Sequence, residues 1–280
     1  MSPQKAKQRT NNKKIFLFVM ILITIICVSL AIFYHRTTTE LHHGVFNRGE
    51  LAQLAPDKVP VPDVRRPDYF KSMTQLFAHT KEGRDWKKEV IHTKSDAIII
   101  APHGGNIEKG TTELSRLVAR KNHYNFYSFI ALRHHAERLH VTSAHYNDPQ
   151  LLKMLQKQEY AVAIHGAKGN HPIVYIGGLD TPLKLAIQKQ LIKSHFVVKP
   201  APTYLGGELT GNFVNKDLKH AGVQLELTTA LRKSFFVNDN FNHIAKDKHQ
   251  DFTKRMYVFA DAIDRAIDEI EHKKSTSDSD

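Results

Sequence analysis

Apolar and polar positions alternate along the chain in blocks that set out its architecture. Ala97–Ala101, Asn125–Leu132 and Tyr160–His165 are apolar stretches of strand length. Between and after them, Thr112–Lys121, Pro149–Lys157 and Pro182–Lys193 read as helices, the second with proline in its first turn. Leu139–Ser143, Val174–Gly177 and His195–Lys199 read as short extended segments. Gly222–Thr228, GVQLELT, alternates as a half-buried strand does, with Leu225 and Leu227 on one side and Gln224, Glu226 and Thr228 on the other. A closing helix over about Asp251–Glu271 gathers Met256, Phe259, Ala260, Ile263, Ala266 and Ile267 on one face. Strands alternating with helices predict an α/β single domain with a mostly parallel or mixed central sheet flanked by helices. No internal repeat interrupts this order.

The N-terminal part differs. Residues 15–34, IFLFVMILITIICVSLAIFY, carry no charge and are long enough to cross a bilayer once. Lys13 and Lys14 precede the run, so the positive-inside rule leaves residues 1–14 as a cytoplasmic basic segment and the bulk of the chain outside. No small-x-small cleavage site follows, which favours an uncleaved anchor over a signal peptide. Residues 35–92 read as a linker and irregular region, punctuated by prolines in APDKVPVPDVRRPDYF, with a short helix over Tyr69–His79. Residues 93–272 then form the folded domain, and 273–280 a polar, disordered tail.

Charge and cysteine content narrow the classes. The formal net charge is +12, yet Lys5, Lys7, Arg9, Lys13, Lys14 and Arg36 lie in an acid-free N-terminal stretch, and without them 34 basic residues face 28 acidic ones. That mild excess suits an anionic partner, and with no nucleic-acid-binding motif in the chain, nucleic acid is not expected. Cys27, inside the apolar run, is the single cysteine. The exported part therefore has no disulfide, no thiol nucleophile and no cysteine-ligated zinc.

Chemistry concentrates where apolar runs end. His103 and Glu108 sit in APHGGNIEKGTTELS, directly after Ala97–Ile100. Their five-residue spacing separates them by about 140° on a helix, so they meet only if the loop curls. The segment reads equally as a strand-to-helix turn. His165 ends the next apolar strand and is likewise followed by glycine. Two histidines and a carboxylate would make a three-ligand zinc set with a position open for water. Glu226 is either a solvent-facing strand acid or a general base, and Arg232 either a surface residue or a clamp for a substrate carboxylate.

Five segments, APHGGNIEKGTTELS, HVTSAHYNDPQLL, AIHGAKG, VYIGGLD and GVQLELTTALR, occur in the order seen in phage-type poly-γ-glutamate hydrolases. The resemblance spans roughly 90 to 260. It implies a zinc-carboxypeptidase-like fold, one Zn2+ per domain, and cleavage of γ-glutamyl linkages in poly-γ-glutamate. By the same resemblance His103, Glu108 and His165 are the zinc ligands and Glu226 the catalytic carboxylate. Lys168 and Arg232 are candidates for holding the carboxylates of a polyglutamate chain, in keeping with the mild basic excess. Where the family pattern has an acidic pair, this chain has Asn147 and Asp148. The anchor adds a bacterial cell-membrane setting, single-pass, with the hydrolase domain on the extracellular side. A zinc amidase acting on cell-wall peptides and a non-catalytic module binding an anionic polymer are the rival readings.

Overall fold

The computed structural model describes residues 68–132, 135–241 and 251–277. The span expected over 15–34 and the linker up to residue 67 lie outside the described residues. Among the described residues no helix is long and apolar enough to cross a membrane.

A seven-stranded mixed sheet carries the fold, with strands β1 Trp86–Ile91, β2 Ala97–Gly105, β3 Asn125–Ala131, β4 Tyr160–Ala167, β5 Ile173–Gly178, β6 Val197–Pro200 and β7 Val223–Thr228 in the order β1-β3-β2-β4-β7-β5-β6. Strands β3, β2, β4 and β7 run parallel, whereas β1 pairs antiparallel with β3 and β5 antiparallel with β7. The helices are α1 Met73–His79, α2 Thr111–Asn122, α3 Pro149–Leu155, α4 Thr181–Lys193, α5 Thr229–Lys233 and α6 Lys254–Ser277.

Strand alternation divides the core into two layers. Ala97 and Ile99 face a layer that α2, α4 and α6 complete with Leu114, Val118, Ile187, Phe259 and Ile263. Ile98 and Ile100 face the other layer, shared with Met73, Leu76, Leu151 and Phe213. Each fully buried Ile contributes about 1.5–3 kcal/mol relative to an exposed one, which is why these central strands are apolar on both faces. The predicted face of α6 is buried as expected, and the helix continues to Ser277.

Three expectations change. The region before residue 93 holds β1, whose sequence WKKEVI hides it: charged residues on an edge strand blunt further pairing. Leu139–Ser143 is not a strand but lies between two 3-10 turns, Ala136–Leu139 and Ser143–His145. β1 takes the edge of β3, and the segment is held outside the sheet by Thr142 N donating to Asp68 at 2.6 Å. Finally, β7 is buried along its whole length, so its polar face is roofed by the chain rather than by solvent.

The chain passes from β2 through α2 to β3 on one side and returns to place β4 on the other. The carboxyl ends of β2 and β4 therefore flank a topological switch point, the crevice where open α/β sheets place their sites.

Candidate metal centre

His103 and His165 stand at those two strand ends. The pairing of β2 with β3 shifts register between Ala101 and Gly104, an irregularity that re-aims the intervening His103. Gly105 then turns the chain at φ +65°, a conformation that side-chain-bearing residues seldom adopt. The turn is closed by Glu108 N donating to His103 O at 2.9 Å, which brings the Glu108 carboxylate back over the imidazole. On β4, the glycine after His165 serves close approach: a Cβ at Gly166 would lie 2.7 Å from Arg232 Cζ.

Three side chains converge. His103 Nδ1 lies 3.1 Å from Glu108 Oε1 and 3.2 Å from His165 Nδ1, and His165 Nδ1 lies 3.8 Å from Glu108 Oε2. Ligands about 2.0–2.1 Å from a tetrahedral cation stand about 3.3 Å apart, so this triangle has the size a zinc-like ion needs. Both rings are buried.

The hydrogen bonds fix the tautomer of His103. Its Nε2 faces the carbonyl of Val141 at 2.9 Å and must carry a proton, leaving Nδ1 for the triangle. Without a cation, Nδ1 needs a proton of its own to face a carboxylate and a second imidazole. The electrostatics agree. Burial works against a charged His103, but Glu108 and the Val141 carbonyl outweigh it and raise the pKa. Glu108 is likewise opposed by burial, and His103 nevertheless holds it at about 2. Burial, reinforced by His103 and His140, lowers His165 to about 3, so it is a neutral ring. Its Nε2 has no hydrogen-bond partner among the described residues, so the ring engages only through Nδ1. One proton thus bridges the three side chains, in the place a divalent cation would take with more charge. The donor set fits a metal.

A second triad, His103, Glu108 and His140, has ligand atoms within 4.8 Å of one another. His165 Nδ1 lies 3.2 Å from His103 Nδ1 and 3.8 Å from Glu108 Oε2, whereas the Nδ1 of His140 is held by Asp68 at 2.7 Å, which leaves its Nε2 for a cation. His140 is thus a further candidate donor at the centre, its ring 4.1 Å from that of His103 between centroids. Sequence reading missed this pair because its partners lie 72 residues apart, on segments without strand or helix periodicity.

Glu226 pairs in register with His165 across β4 and β7. It is buried rather than solvent-facing, and burial followed by the nearby charge of Glu108 pushes its pKa well above the ordinary carboxylate range. Two buried carboxylates that oppose each other's ionisation are a further reason for a cation between them.

Arg232 is not at an opening. It is buried, with Nε donating to Leu227 O at 3.0 Å, Nη1 to Lys109 O at 2.5 Å and Nη2 to Ala167 O at 3.2 Å. These bonds tie the Glu108 loop to the ends of β4 and β7. Lys168 is exposed, immediately beyond β4. Asn147 and Asp148 also act structurally: Asn147 Oδ1 accepts from Thr74 N at 3.1 Å, and Asp148 caps α3 by accepting from Gln150 N at 2.8 Å.

Comparison with known proteins places this geometry. The profile of the poly-gamma-glutamate hydrolase family matches residues 70–262. The UPF0714 protein YmaC of Bacillus subtilis (strain 168) is 30% identical over 204 residues, covering 71% of this chain and 83% of YmaC. The structure of a bacteriophage poly-gamma-glutamate hydrolase superposes with a TM-score of 0.69 at 31% identity, covering 73% of this chain and 99% of the other. The zinc-free apo form of YndL superposes with a TM-score of 0.66 at 26% identity, covering 72% and 98%.

Proposed function

This chain belongs to the poly-γ-glutamate hydrolase family, and from that premise we propose that it hydrolyses γ-glutamyl amide bonds in poly-γ-glutamate with one zinc held by His103, Glu108 and His165. The observation that carries the reading is the convergence of His103 Nδ1, His165 Nδ1 and the two oxygens of the Glu108 carboxylate beside the buried carboxylate of Glu226. Zinc, when bound, lowers the pKa of water towards about 7 and polarises the carbonyl under attack. The protein does the rest. His103 is kept in the ligating tautomer by Val141, and Glu108 by its bond from Gly166 N at 2.8 Å. Glu226 takes the proton from the attacking water and returns it to the departing amine. A cation held by His103, Glu108 and His165 would favour the ionised form of Glu226 that burial opposes. Lys168, exposed just beyond β4, would attract the substrate's carboxylates.

The same proposal includes the anchor over 15–34, which would hold the domain at the outer face of a bacterial membrane. Protease added to intact cells would then digest the domain, and survival of the domain would argue against that setting.

Glu226→Gln tests the chemistry. Shape is retained, so zinc content and melting temperature are expected to hold while turnover of purified polyglutamate falls about 10² to 10⁴-fold. Normal turnover would remove Glu226 from the mechanism, and loss of zinc would move it into the ligand set. Unchanged polymer length with the native protein, alongside cleavage of purified cell wall, would favour the wall-amidase reading. Salt-sensitive binding without cleavage of either would favour the binding module.

A further inference from the structure

On the same face of β7 as Glu226, two residues before it, lies Gln224, and its amide orientation is fixed by backbone groups. Asn212 Oδ1 accepts from Val214 N at 3.1 Å, so the other end of that amide, Nδ2, donates. It donates to Gln224 Oε1 at 2.9 Å. Gln224 Nε2 then donates to the carbonyl of Leu205 at 3.0 Å and to Glu226 Oε1 at 2.9 Å. Reversing Gln224 would set its oxygen against a carbonyl and a carboxylate, and its nitrogen against the Asn212 NH2. Both amides are buried, so no bulk water would absorb the mismatch. Val214 N at one end and Leu205 O at the other therefore determine that an N–H points at Glu226.

We infer that Gln224 is a positioning residue for the general base, held by Asn212, which occupies Oε1 of Glu226 and leaves Oε2 as the oxygen that takes the proton. This rests on Glu226 being the base. The bond fixes the rotation of a carboxylate that otherwise has one covalent tether, and catalysis is sensitive to misplacements of about 1 Å. A packing role for Gln224 would predict effects on stability alone. A positioning role predicts an effect on the chemical step that exists only while residue 226 is a carboxylate.

A double-mutant cycle on the zinc-loaded protein separates the two. Gln224→Met keeps the volume and removes the donor. In the presence of Glu226, kcat is expected to fall about 10- to 100-fold with KM within about twofold. In the Glu226→Gln background the same substitution is expected to cost nothing further. Asn212→Ala, which frees the Gln224 amide without touching Glu226, should lower kcat in the same direction, and it carries the test if Gln224→Met does not fold. Equal losses in both backgrounds, or no loss in the first, would overturn the inference while leaving Glu226 as base. Near-normal turnover of Glu226→Gln alone would overturn the base assignment and the positioning role with it.

Discussion

Two buried polar clusters lie within a few residues of each other in this fold, and they are built on opposite principles. Around Asp148 every group has an answer. Its Oδ1 accepts from Gln150 N and Leu151 N, and its Oδ2 from Lys88 Nζ at 2.6 Å and from the Tyr127 hydroxyl. Burial, with Tyr146 and Asp148 nearby, holds Tyr127 far above the usual phenol range, so it remains a donor. Around His103 the opposite holds: three lone-pair atoms face one another with a single proton to share. A closed network specifies architecture. An open one of the same residue types specifies a ligand. The closed cluster also buttresses the open one, because Tyr146 O–H donates to Pro102 O at 3.0 Å, adjacent to His103.

Paired substitutions would break or sharpen that contrast, and the largest effect is expected in the open cluster. His165→Ala should abolish stoichiometric zinc and activity together, since two remaining ligands rarely hold zinc tightly. Zinc-free, the variant should melt near the zinc-free parent, because the lost packing is offset by removing a buried nitrogen that has no partner among the described residues. Asp148→Ala should do the reverse. It leaves Lys88 uncompensated and α3 uncapped, and breaking such a buried pair costs about 3–5 kcal/mol. Its zinc stoichiometry, measured below its melting range, should stay near one. If Asp148→Ala kept its stability, or His165→Ala kept its metal, the division between the clusters would fail.

The sequence made one side of this contrast more legible than the other. His103 and His165 stand out because each ends an apolar run that can only be a covered strand, and strand ends at a switch point converge. Glu108 stays open in the sequence, because the glycine-rich loop that carries it reads equally as a strand-to-helix turn, and only the curl closed by Glu108 N on His103 O brings it to the imidazole. Glu226 had the right parity on β7 but the wrong exposure, since alternation reports which residues share a face and not what covers that face. The burial of Arg232 was not legible for a related reason: its partners are backbone carbonyls on three segments, and carbonyls leave no mark in a sequence. The Asp68–His140, Lys88–Asp148 and Asn212–Gln224 pairs are invisible for want of local periodicity. Edge strand β1 was lost because its charges, useful against aggregation, erase the apolar signal.

The smallest effect expected is in how the two clusters respond to pH. Zinc must displace the proton that His103 Nδ1 shares with Glu108 and His165. The pKa of His103 is raised above the ordinary 6.5, whereas His165, at about 3, and Glu108, at about 2, are already deprotonated near neutrality. The His103 proton therefore competes with the metal, and Glu226, whose pKa is also raised, adds a second wherever it is protonated. Below the raised pKa of His103, zinc affinity is expected to climb by at least about tenfold per pH unit, or about 1.4 kcal/mol, and to level off once both protons are lost. The zinc-free protein should respond with the opposite sign. A raised folded-state pKa gives stability that is fully present below the unfolded value near 6.5 and is lost as pH rises through the folded one. Raising the pH from the unfolded value through the folded one should thus lower the zinc-free melting temperature while tightening zinc. Chelator competition and thermal melts across that window read both slopes. A flat zinc affinity would mean that no proton occupies the triangle, and the cluster would then be closed after all.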